Sequence, residues 1–100
     1  MNHLSVILQK IKATPGVYIG SKSLTDLAMF ISGYECALFE TTGKRYTFNS
    51  QFQDFVQKKQ GVEHTSSHWS TLISKNCSDD EAFEIFFAYY YEFEKTYSDN

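Results

Sequence analysis

Two carboxylates in apolar company are the first residues in this chain that suggest chemistry. Glu94 falls within the aromatic run Phe83, Phe86, Phe87, Tyr90, Phe93, and Glu35 lies at the edge of the apolar face set by Leu27, Ile31, Tyr34 and Leu38. A pair of acids in such surroundings is what general acid–base catalysis uses, one to give a proton and one to take it. If both open into one interhelical pocket, the chain is a small enzyme or a ligand-binding domain. If they accept hydrogen bonds from tyrosines such as Tyr34 or Tyr18, or from backbone amides, and no cavity lies beside them, that reading fails; a structural or ligand-contacting acid is preferred to a catalytic one, and the choice between those two stays open.

The other reactive types are less organised. His64 and His68 are four apart, the spacing that puts two imidazoles on one side of a helix, but Thr65 stands where a metalloprotease motif needs glutamate. Ser66 and Ser67 between them indicate a loop or a helix start, so the reading is solvated loop histidines and no metal. Cys77 sits just before a helix start, where a thiolate is stabilised. No residue declares itself as the fixed base that a nucleophile needs. Cys36 and Cys77 form no metal-ligand spacing, so both read as reduced structural thiols. No catalytic residue, cofactor or metal is expected.

The element that must hold Glu94 is the segment Ser78–Tyr97. Ser78 and Glu81 form a capping-box pattern, and Asp79, Asp80 and Glu81 put negative charge in the first turn, where the helix dipole favours it. At about 100° per residue, Phe83, Phe86, Phe87, Tyr90, Phe93 and Tyr97 fall on one broad face, with Glu84, Glu92 and Lys95 opposite. Glu35 belongs to a second long helix, capped by Ser23 with Asp26, running from about residue 24 to 41 and stopped by Gly43. Its periodic positions are Leu24, Leu27, Ala28, Ile31, Tyr34 and Leu38, widened by Phe30 and Ala37. Gly33 inside it costs up to about 1 kcal/mol and so suggests close approach of another group.

Leu4, Ile7, Leu8 and Ile11 predict a first helix over residues 3–13, ended by Pro15. Pro15 to Gly20 reads as an ordered connector docked by Val17, Tyr18 and Ile19. Lys44 to Phe48 alternates over too few residues for a strand. Asn49 or Ser50 then caps a helix with Phe52, Phe55 and Val56 inward, ending at Gly61. After a polar loop, Trp69, Leu72 and Ile73 predict a further short helix. The expectation is all-α: a single domain, residues 1–100, of about five helices with the two long ones at its centre.

The totals agree. A chain of 100 residues, 42% apolar and 17% aromatic, can bury roughly 65% of its unfolded surface without staples. A net charge of -3 and a pI near 5.5 argue against direct nucleic-acid binding and favour a basic protein partner. The N-terminus lacks a signal pattern and no segment is a membrane span, so a cytoplasmic location is expected.

The stretch Ile11 to Gly20, with Pro15-Gly16-Val17-Tyr18-Ile19-Gly20, then Ser23-Leu24 and Phe30-Ile31-Ser32-Gly33-Tyr34, joins a back half carrying Phe52, Phe55, Val56, Trp69, Ile73, Asp80, Glu81, Ala82, Phe83, Phe86, Phe87 and Phe93. Over nearly the full length this pattern resembles the small immunity proteins of bacterial polymorphic toxin systems, including contact-dependent growth inhibition. The front motif is also similar to the RPGMYIG motif of the DNA gyrase B subunit and its ATPase relatives, but Thr14 replaces its arginine, Val17 its methionine, no helix with the expected Glu and Asn magnesium ligands precedes it, and the chain cannot supply the sheet such a fold needs. The immunity resemblance implies a cytoplasmic antitoxin that binds and blocks the C-terminal toxin domain of a cognate system, by default a nuclease such as a tRNase. A nuclease has a cationic cleft, and carboxylates that fill it speed association and exclude substrate. The surface expected to do so is Asp79, Asp80, Glu84 and Glu92, with Tyr89 and Tyr91 supplying area at low entropic cost; if the inhibitor instead binds away from the toxin's active site, loop residues such as His64 and His68 matter more.

Overall fold

In the computed structural model, residues 3–45 and 47–98 are described, apart from the side chains of residues 3, 97 and 98. Tyr46, and the side chain of Tyr97 expected on the aromatic face, therefore lie outside the described part. The elements are α1 (His3–Ala13), α2 (Pro15–Ile19), α3 (Leu24–Thr42), α4 (Phe48–Gln60), α5 (Trp69–Ser74) and α6 (Asp79–Ser98), with no strand among the described residues. The fold is all-α.

The aromatic repeat of α6 is the floor of the core. Phe83, Phe86, Phe87, Tyr90 and Phe93 are all buried, as is Ala82 beneath them. On it sit Leu4, Leu8 and Ile11 of α1, Leu24, Leu27 and Ile31 of α3, Phe52 and Val56 of α4, and Trp69 and Ile73 of α5. Phe52 is the central ring: its centroid lies 5.0 Å from Trp69 and 5.3 Å from both Phe86 and Phe93, each pair edge-on, the geometry favoured by ring quadrupoles. The indole of Trp69 donates to Asn49 Oδ1 at 2.9 Å, which satisfies the polar end of a fully buried side chain.

Helix ends follow the sequence signals in most places. Ser78 and Glu81 form the capping box: the Ser78 amide donates to Glu81 Oε1 at 3.3 Å and the Glu81 amide to Ser78 Oγ at 3.4 Å. Ser23 caps α3, accepting from the Asp26 amide at 3.1 Å. Gly43 and Gly61 close α3 and α4 in left-handed geometry, with φ of 73° and 71°.

Four expectations need correction. Pro15 to Ile19 is a short helix, because proline at its first position has its φ preset and no amide to satisfy. Ile19 packs partly against the core, whereas Val17 is 77% exposed and docks nothing. Gly33 is exposed, and a Cβ there would meet nothing within 4 Å. Ala37 is exposed instead of widening the buried face of α3. Finally, neither Asn49 nor Ser50 caps α4: Thr47 occupies that position without a side-chain bond, and the cap comes from another helix.

Candidate functional site

That cap is Glu35. Its carboxylate accepts from the Phe48 amide at 3.0 Å, the Asn49 amide at 3.4 Å and the Asn49 side-chain amide at 2.8 Å. The acid therefore satisfies the orphan amides of the first turn of α4, where the helix dipole favours negative charge, and ties α4 to α3. Asn49 passes the constraint on to Trp69.

Glu94 is used in the same way elsewhere. It accepts from the Tyr90 hydroxyl and from the Ser5 hydroxyl, both at 2.9 Å, so it closes α1 onto α6. Burial, together with the bond to Glu94, pushes the Tyr90 phenol far above its ordinary value, which keeps it a neutral donor. The two acids thus serve separate donor sets. A shallow groove of about 470 Å³ does run between α3 and α5, but Thr25, Met29 and Ser32 form one wall and His68, Thr71 and Ser74 the other, and neither acid borders it.

The remaining reactive types are distributed without convergence. His68 ends the polar loop and caps α5, its Nδ1 accepting from the Ser70 amide at 3.2 Å. His64 is exposed in the loop before it. Cys77 donates weakly to the Ile73 carbonyl, and Cys36 is exposed on α3. Among the described residues no group of His, Cys, Asp or Glu has the arrangement of a metal site. No described helix is long and apolar enough to cross a membrane.

The acidic surface expected on α6 separates into two parts. Asp79 turns inward to α3: it accepts from the Ser23 hydroxyl and, at 3.2 Å, from both the amide and the hydroxyl of Thr25. Partial desolvation pushes its carboxyl up, but these bonds, with that of the Leu24 amide, outweigh it and hold the group below the usual carboxylate range. Asp80, Glu84 and Glu92 are all exposed, Glu84 about one turn and Glu92 about three turns beyond Asp80, with Glu84 and Glu92 on the side away from the core and Asp80 in the first turn at its edge. The Ser78 hydroxyl, 2.6 Å away, lowers the Asp80 carboxyl. Glu84 is bridged to Lys22 at 3.0 Å and Glu92 to Lys59 at 2.7 Å, with the two glutamates still 59% and 55% exposed.

The tyrosines flank this strip. Tyr91 is half-buried; its hydroxyl accepts from Lys12 at 2.9 Å and lies 3.2 Å from Gln9 Oε1, and Lys12 also stands 4.7 Å over its ring. Tyr89 packs edge-on against Phe55, with Lys59 5.4 Å over its ring. The lysines that border these acids and tyrosines, Lys12, Lys22 and Lys59, come from α1, the turn between α2 and α3, and α4, and sequence spacing alone offered no signal for them. No protein-family model, curated protein or solved structure matches this chain.

Proposed function

We propose that this chain is a binding module, an immunity protein that neutralises a cognate toxin domain in the cytoplasm by forming a tight protein–protein complex. The observation that carries the reading is the set of exposed acids Asp80, Glu84 and Glu92 along a helix whose other side is the hydrophobic core. A strip so mounted is rigid, so little ordering entropy is lost when a partner docks. The ion pairs of Glu84 and Glu92 are largely exposed and contribute little to stability. A cationic partner can take these carboxylates over at small cost, displacing Lys22 and Lys59. Tyr89 and Tyr91 add contact area at the edges.

The partner class that fits is a basic surface, such as the substrate cleft of a nuclease, reached by electrostatic steering. Together with the sequence resemblance, this favours a toxin nuclease, for instance a tRNase, as the target. The reading is tested by expressing the C-terminal domain encoded by the adjacent toxin reading frame, with and without this chain. The expected result is growth arrest relieved by co-expression and a one-to-one complex on purification. Toxicity that this chain neither binds nor relieves would overturn it.

A further inference from the structure

The outward side of α3 has no partner among the described residues. Met29, Gly33, Cys36 and Glu40 succeed one another on the side opposite Leu27 and Ile31, and all are exposed, Met29 by 70%. Phe39 beside them is 39% exposed, with the Arg45 guanidinium 4.8 Å over its ring. The helix also differs in charge from end to end. Around its start lie Asp26, the acid-rich beginning of α6 held there through Asp79, and Glu84; the cation of this region, Lys22, is already paired with Glu84. Around its end lie Lys44 and Arg45, neither of which forms an ion pair among the described residues, with Glu40 one turn inside.

We propose that this face of α3 is a homodimer surface, on which a second copy of the chain packs antiparallel, the two-fold axis passing between Gly33 and Cys36. A two-fold interface must be self-complementary, and here the antiparallel arrangement alone satisfies the charges: it sets the acidic start of each α3 against Lys44 and Arg45 of the second copy, whereas a parallel one sets like ends together. Antiparallel helix dipoles are also mutually favourable. In this register Gly33 faces Cys36 of the second copy, Asp26 lies beside its Lys44, and Glu40 faces Met29, not another acid. The open position at Gly33 admits the other helix closely, and Met29 is unbranched and adapts to an irregular contact. One helix face offers less than the roughly 800 Å² per partner of a standard interface, so the dimer is weak, with a dissociation constant on the order of 100 μM. The proposal is independent of toxin binding.

The test is sedimentation equilibrium of the full chain from about 10 μM to about 1 mM, at low and at high salt. A monomer–dimer equilibrium that weakens with salt is expected. Gly33→Leu, whose Cβ meets nothing within 4 Å in the monomer and whose helix propensity should hold or raise the monomer's thermal melt, should weaken the dimer at least about tenfold. Lys44→Glu should weaken it similarly, and adding Asp26→Lys should restore much of the loss, because the Asp26–Lys44 pairing is then reversed. A monomer at every concentration, or a dimer indifferent to salt and to these variants, would overturn the assignment.

Discussion

Asp79 reads in the sequence as charge placed for a helix dipole, yet its carboxylate spans two helices. By accepting from Ser23 and Thr25 it caps the start of α3 while standing in the first turn of α6. Asp80, one residue on, bonds only within its own turn. Asp79→Ala should therefore cost about 1–2 kcal/mol in denaturant melts, and Asp80→Ala clearly less. Both carboxyls are held below their ordinary value when folded, so their contribution is present above about pH 4 and is lost as pH falls through the folded values. His68 has the opposite charge type and a higher window. One face of its ring lies 4.8 Å from Trp69, and the resulting desolvation lowers its value when folded. The neutral ring caps α5, so stability is full above about pH 6.5 and declines as pH drops below it. The urea midpoint should fall slightly between about pH 7 and 5.5, and His68→Asn, which keeps a capping oxygen, should remove that dependence; an unchanged slope would mean the imidazole does not carry it.

Among the elements, the buried side of α6 from Phe83 to Phe93 was legible because a 20-residue helix repeats its apolar positions often enough to fix it. Phe86→Ala, at a fully buried ring touching Phe52 and Trp69, should cost about 3–5 kcal/mol through the cavity it leaves. A loss under about 1 kcal/mol would contradict this packing. The short α2 was not legible, since one turn is too brief to show a period and only Pro15 marked it. The cap of α4 was hidden for a different reason: Glu35 lies 13 residues before Phe48, and no local rule links a carboxylate to a helix start across an intervening loop. Its apolar neighbours made it look like chemistry when it serves as a joint between helices. Gly33 misleads similarly: its cost as a helix residue points to a close neighbour, and among the described residues none lies within 4 Å of a Cβ there. Gly33→Ala should raise stability by up to about 1 kcal/mol, as a methyl group there meets nothing.

At the scale of the whole molecule, the lysines of α1, the α2–α3 turn and α4 converge on the outer side of α6, so the last helix organises both core and surface. The sequence located this side of the helix, but not that Asp79 leaves it for α3, nor that Lys22 and Lys59 screen the glutamates. The binding reading rests on those screened carboxylates being exchangeable for a cationic partner. The most direct measurement is the affinity and association rate of the purified toxin domain for the Asp80→Ala, Glu84→Ala, Glu92→Ala triple variant, taken across salt concentrations. The predicted result is a binding loss of about 10- to 100-fold, carried largely by slower association and with a shallower salt dependence, while the melting temperature stays near that of the parent chain. Affinity within about twofold of the parent chain, with the same salt dependence, would contradict the assignment of this strip as the docking surface.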